Sequence, residues 1–201
     1  MRDAQIRDWV EQLTRSLGNP RSPADFSMLE RYWRANDHTA MLRAIRAALR
    51  LNMRLTLARV NSGGPEGAPA LVAFDRPVPM FGTRAFADFR AVVYIRKEFL
   101  VETSFGPVVI ALAHELSHIV LEAIAHPLRD VEEAVDLTAM LLGFCDFYVS
   151  YTRHERIVGI GERASLWRRL LGRRPDISVQ THHIGYLSLD EVRYAASLMR
   201  A

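Results

Sequence analysis

Two histidines and a glutamate, in the pentad His114-Glu115-Leu116-Ser117-His118, sit inside an otherwise apolar run. Val108-Val109-Ile110-Ala111-Leu112-Ala113 precedes the pentad and Ile119-Val120-Leu121 follows it. Flanks of this kind fit a buried helix. Four residues of helix turn through ~400°, so His114 and His118 project from one face about 6 Å apart. At that spacing two imidazoles can share a tetrahedral zinc ion at bond lengths of ~2.0–2.1 Å. Glu115 is offset by one residue, beside such a metal rather than on it. There a carboxylate can take a proton from metal-bound water.

A zinc ion so placed needs a third protein ligand and an open fourth position. Downstream, Glu132-Glu133-Ala134-Val135-Asp136 opens a long apolar helix, interrupted between residues 134 and 149 by Asp136 and Asp146. Glu132 and Asp136 are one turn apart and share a face with Ala139 and Gly143, small residues that would let the first helix approach closely. Glu133 lies instead over Leu137, Met140 and Phe144 and follows Arg129 by four, which suits an exposed or ion-paired carboxylate. Depth along the helix pair also matters. If the first helix ends near Glu122 and the second starts with Pro127 in its first position, Glu132 returns level with His118. A start at Asp130, with Glu133 closing a capping box, would leave Glu132 about one turn, ~5 Å, too low. The Pro127 start, and Glu132 with it, is the expectation; Glu133 stays open as the alternative.

The remaining residues frame this pair of helices. Ile6, Trp9, Val10, Leu13 and Leu17 recur at helical spacing, and Gly18-Asn19-Pro20 ends that run. Ser22-Pro23-Ala24-Asp25 reads as an N-cap, a proline in the first helical position and an acid in the third, for a helix faced by Phe26, Leu29, Tyr32 and Trp33. A third helix follows Asp37 and carries Met41, Leu42, Ile45, Ala48 and Leu49. Residues 53–60 alternate with period two, as a half-buried strand does; 61–69 form a loop by composition; 70–74 and 91–96 are two further strands. From Pro107 a helical pattern is expected to return and dominate to the end. Helices, a small sheet, then helices make an α+β chain, divided into an N-terminal helical segment, 1–51, packed on a domain spanning 52–201.

His114-Glu115-x-x-His118 followed by Glu132-x-x-x-Asp136 resembles the gluzincin arrangement of zinc metallopeptidases. Ala113-His114-Glu115-Leu116-Ser117-His118-Ile119 and the stretch from Glu132 to Ala139 are most similar to the ImmA/IrrE-like branch, over roughly residues 90–150. The resemblance implies a zincin-like fold and a peptidase acting on a protein or peptide substrate, with a regulatory protein partner among its associates. It implies Zn²⁺ held by His114, His118 and Glu132, with Glu115 as general base and proton shuttle and Asp136 orienting a ligand imidazole. A donor for the tetrahedral oxyanion is implied as well. Tyr186, His182 and His183 are the candidates, Tyr186 being the one adopted, with Tyr148, Tyr151 and His154 further off. Zincins commonly align substrate along a strand edge near the zinc helix, and 91–96 is the strand expected to serve.

Composition narrows the partners. An apolar share of 49% against 24% charged is that of a globular chain with a core. Lys97 is the one lysine among 26 basic residues, and the formal charge is only +3. The positive charge is scattered except at Arg168-Arg169 and Arg173-Arg174, which suit the solvated end of an amphipathic helix, so nucleic acid is not an expected partner. No uninterrupted apolar run reaches the ~18 residues of a membrane span, and residues 1–8 contain no apolar signal core. Cys145, alone, makes no internal disulfide and reads as a small core residue. A cytoplasmic protein without a membrane partner is the expectation. Two rivals stand beside the peptidase: a catalytically silent zincin-like protein that binds zinc and a protein partner, and an arginine-rich nucleic-acid-binding regulator.

Overall fold

Three helices open the chain in the computed structural model, which describes residues 2–61, 68–74, 77–160, 177–183 and 185–200. They are α1 (Arg2–Leu17), α2 (Phe26–Arg34) and α3 (His38–Ala48). α1 buries Ile6, Val10 and Leu13 at the expected spacing, and α3 is capped by Asp37, whose carboxylate accepts from the Ala40 amide at 2.9 Å. The cap of α2 is displaced from its expected place. Asp25, not Ser22, accepts the Met28 amide at 2.9 Å, and Pro23 lies outside the helix. The reason is tertiary: the Arg21 and Ala24 amides donate to the carbonyls of Leu141 and Gly143, at 2.9 Å each. That pairing holds the segment off helical geometry.

The sheet contains β1 (Arg54–Val60), β2 (Ala70–Phe74) and β3 (Arg90–Arg96), with α4 (Arg84–Asp88) before β3 and α5 (Lys97–Glu102) after it. Strand order is β1-β3-β2; β1 runs parallel to β3 and β2 antiparallel, with Leu57 and Val72 both opposite Val93. Residues 91–96 are therefore central, with both ladder edges used. The expectation that they form the substrate edge is overturned, and among the described residues β2 is the edge strand on that side. Residues 62–67 of the expected loop lie outside the described residues.

Behind the sheet runs α6 (Phe105–Ala123), buried over most of its length because its sequence is apolar all round. Its end departs from expectation in an instructive way. The His126 amide bonds back to Leu121 O and the Ala125 amide to Glu122 O, both at 2.9 Å, and Ala125 has φ 49°. This is a Schellman stop with alanine in the left-handed position that glycine favours. The next helix, α7, spans Glu132–Ala139, so the expected start at Pro127 is wrong. Glu132 nonetheless returns level with His118. Residues 127–131 climb as turns, Arg129 N bonding to His126 O and Val131 N to Leu128 O, and turns advance further per residue than the ~1.5 Å of a helix. Ala125→Gly is expected to raise stability by about 0.5–1 kcal/mol, since the left-handed backbone no longer strains a Cβ. Urea melts check it, and a loss of stability would contradict this account of the turn.

The second apolar stretch is not one straight helix either. α7 passes into a π-helical turn, Met140–Phe144, and then into α8 (Cys145–Tyr151). Gly143 has φ 112°, and a Cβ there would lie 2.7 Å from Ser22 O. The expected role of Gly143, close approach to the histidine helix, is replaced by a chain bend packed against the 20–25 segment. Phe105–Ala123 and Glu132–Tyr151 are long and apolar enough to cross a membrane by length and composition alone, yet 83% and 72% of their most apolar windows is buried inside this fold. β4 (Arg153–Ile160) and β5 (Ile177–His183) pair antiparallel and interrupt the expected helical pattern, and α9 (Leu189–Arg200) ends the described residues. The arginines at 168, 169, 173 and 174 lie outside the described residues. Buried side chains of α1, α3, α6, α7 and α9 belong to one continuous core, so the described part of 1–51 shares its interior with the rest of the α+β chain.

Candidate metal centre

Helix α6 presents His114 and His118 side by side, ring centroids 5.0 Å apart and nearly perpendicular. Glu132, the first residue of α7, comes up to both: its Oε2 lies 3.2 Å from His114 Nε2 and 3.5 Å from His118 Nε2. The three residues offer ligand atoms that all fall within 4.8 Å of one another, a group that could hold a metal ion. Exposure is graded across the site. The His114 side chain is 10% exposed, His118 23% and Glu132 41%, so the donor atoms open to solvent on the Glu132 side. Glu133 is turned away. It pairs with Arg2 at 2.8 Å, rather than with Arg129.

Beneath His114 lies a fully buried carboxylate, Asp136. Its Oδ1 accepts from His114 Nδ1 and from the Tyr148 hydroxyl, each at 2.8 Å. Its Oδ2 accepts from the amides of Tyr186 at 2.6 Å and Leu187 at 3.3 Å. A carboxylate offers no donor, so Nδ1 of His114 carries a hydrogen and Nε2 is the nitrogen turned to the metal position. Gly185, with φ 91°, permits this cradle; a Cβ there would sit 2.9 Å from Asp136 Oδ2.

The electrostatics follow from burial and acid. Burial lowers the His114 pKa, but hydrogen bonds to Asp136 and Glu132 and the charges of Asp136 and Glu115 outweigh it and raise it to about 10. Glu132 is held below the ordinary carboxylate range, chiefly by its hydrogen bond with His114. In the metal-free chain His114 is thus an imidazolium at neutral pH, while a metal requires Nε2 without its proton. The sign for stability is fixed. A folded-state pKa above the unfolded ~6.5 stabilises fully below that pH, and the gain is lost as pH rises through about 10. Urea melts in excess chelator from pH 6 to 10 should show wild type losing stability relative to His114→Gln. Parallel curves would refute the assignment.

Glu115 is half-buried and its Oε2 accepts the Val72 amide at 2.8 Å. The Val72 amide is thus spent on Glu115, so the edge strand and the α6 glutamate are joined directly. Burial raises the Glu115 pKa, opposed by the His114 charge and the Val72 hydrogen bond.

The candidates for an oxyanion donor separate. Tyr186 comes to the site, its ring stacked on His114 at 5.4 Å and 22° and 56% exposed. Burial and the neighbouring acids, Glu132 first, push its hydroxyl pKa up, so it stays a donor. Tyr148 is fully buried and spends its hydroxyl on Asp136. Tyr151 packs against Phe26 and Phe147. His154, His182 and His183 lie on the β4–β5 hairpin, His154 opposite His182 and Arg153 opposite His183; their side chains lie outside the described residues. Cys145 is half-buried, and burial raises its thiol pKa.

Sequence reasoning missed the part of Tyr148 under Asp136, and no helical spacing could have found it. Twelve residues of unbroken helix rise ~18 Å, beyond the joint reach of a tyrosine and an aspartate. The bend at Gly143 closes that distance. No family model, curated protein or solved structure matches this chain.

Proposed function

We propose that the chain is a zinc-dependent metallopeptidase of the zincin type, close to the ImmA/IrrE-like branch, hydrolysing protein or peptide substrates. The observation that carries this reading is the spacing of the donors. Four ligands at ~2.0–2.1 Å around a tetrahedral ion stand ~3.3 Å from one another. Glu132 Oε2 stands 3.2 and 3.5 Å from the two Nε2 atoms. Two imidazoles and one carboxylate, with solvent on one side, are the donor set of catalytic rather than closed structural zinc.

Zinc held by His114, His118 and Glu132 would supply a Lewis acid for the scissile carbonyl and would make water a stronger acid there. The chain's own residues do the rest. Asp136 fixes the His114 ring through Nδ1, and is itself fixed by Tyr148 and two amides. Glu115 receives the proton of the attacking water and returns it to the leaving amine, with Oε1 available while Oε2 holds Val72 N. The Tyr186 hydroxyl donates to the developing oxyanion. An extended substrate lies along β2, the edge strand tied to Glu115, in place of 91–96.

The test is metal analysis with a cleavage screen. Chain purified without chelators and offered zinc should carry about one zinc. Glu132→Ala should lose it, by at least the ~10–100-fold in affinity that a ligand's supporting partner already costs, and Glu133→Ala should keep it. Cleavage of a mixed peptide library should stop on chelation. Absence of transition metal, or greater loss in Glu133→Ala, overturns the site; full zinc with no cleavage favours the silent binder instead.

A further inference from the structure

On the side of the molecule formed by the N-terminal helices, a cleft of about 790 Å³ opens between the 20–25 segment and α3. That volume is in the range of small-molecule sites. Arg21, Arg43 and Arg50 line it, together with apolar surface from Met28 and Ala44 and the ring of Tyr32. Elsewhere Arg2, Arg34, Arg54, Arg96 and Arg200 each hold a carboxylate at 2.7–3.3 Å, while Arg7 and Arg46 bond to the Tyr194 hydroxyl and the Met53 carbonyl. Among the described residues the three cleft arginines have no carboxylate partner. The one acid on the cleft wall, Asp25, is engaged as the cap of α2 through the Met28 amide.

Three cations on a wall that carries one acid repel, so something in the fold must hold them. Arg21 is anchored at both ends, its amide on Leu141 O and its Nη1 on Ala48 O at 3.1 Å. Arg50 stands in the left-handed position of the α3 stop, φ 57°, its amide on Ala47 O and the Leu51 amide on Arg46 O. A Cβ in that conformation is disfavoured relative to glycine, and among the described residues the arginine side chain there makes no ion pair that offsets it. Burial, and after it the nearby charge of Arg50, lower the Arg21 pKa.

We propose that this cleft binds a small phosphate ester, its phosphate held by Arg21, Arg43 and Arg50 and its organic body lying on Met28, Ala44 and Tyr32. Guanidinium forks match phosphate oxygens two at a time, and the preformed wall lowers the ordering cost of binding. The site is independent of the metal centre, so neither reading stands or falls with the other.

Calorimetry on the full chain tests it, with AMP and phenyl phosphate as probes and adenosine and phenol as their neutral counterparts. Both esters should bind with Kd of ~1 mM or tighter, and the neutral bodies at least ~tenfold more weakly. Arg43→Gln and Arg50→Gly should each weaken the esters ~tenfold. Arg50→Gly also relieves the backbone, so misfolding cannot explain its loss, and thermal melts verify that. Arg90→Gln, an exposed arginine outside the cleft, should bind as wild type does. Failure of both esters to saturate, or binding that Arg43→Gln and Arg50→Gly leave unchanged, overturns the proposal. So does a single-stranded oligonucleotide that binds through these arginines while the esters do not.

Discussion

Glu115→Gln is expected to lower peptide hydrolysis by ~10²–10⁴ while zinc content and melting temperature stay near those of the wild type. The argument is geometric before it is chemical. Glu115 stands outside the donor group of His114, His118 and Glu132, so its charge is not needed to hold the ion. Among the described residues its hydrogen bond is with the Val72 amide, and a glutamine carbonyl of the same shape can accept that bond. What the amide cannot do is take a proton. Burial, the leading influence on the Glu115 pKa, moves it upward and makes it a stronger base than an exposed carboxylate. Kinetics on a peptide from the cleavage screen, with elemental analysis of the same sample, reads both halves of the expectation. An undiminished rate would remove Glu115 from the chemistry, whatever the metal content.

What was legible in the sequence was local. The pentad could be placed on a helix because its flanks are apolar and four residues bring two side chains onto one face; both histidines duly stand together. The start of a third helix after Asp37 was readable because the apolar spacing that follows is local, and the structure adds that Asp37 caps it. The failures are non-local. Ser22-Pro23 satisfies every local rule for starting a helix, yet bonds to Leu141 and Gly143 hold it elsewhere. Residues 91–96 read correctly as a strand, but strand order is a property of the whole sheet, and the central position could not be seen. The β4–β5 hairpin was likewise read as part of a helical C-terminal half. Glu132 was favoured over Glu133 because Asp136 stands one turn on, and also from a helix start at Pro127 that the structure does not have. The intervening residues make their height in turns, which hydrophobic spacing does not record. Gly143 was noticed as small when its consequence lies in its backbone sign, and that bend brings Tyr148 under Asp136.

The buried carboxylate at the centre of that bend carries the second large expectation. Asp136→Asn should destabilise the chain by about 3 kcal/mol and weaken zinc binding ~10–100-fold. All four groups around Asp136 are donors: the His114 imidazole and the Tyr148 hydroxyl on Oδ1, the Tyr186 and Leu187 amides on Oδ2. A carboxylate, acceptor on both oxygens, serves them all. An asparagine must turn its NH₂ toward one side, where two donors then face a third. Each buried donor left without an acceptor costs ~1–3 kcal/mol. If the NH₂ faces His114, the imidazole loses the partner that fixes its ring and its Nδ1 hydrogen, and Nε2 is no longer aimed. If it faces the amides, the 185–187 segment loosens and with it the tyrosine stacked on His114. Tyr148→Phe gives the graded comparison, since it removes one donor and leaves Asp136 a full acceptor for the other three. It should cost about 1 kcal/mol and reduce zinc affinity only a few-fold. Urea melts of the metal-free forms, with zinc titrations against a competing chelator, measure both quantities. Equal zinc affinity in Asp136→Asn and wild type would show that the carboxylate braces the fold without orienting the ligand.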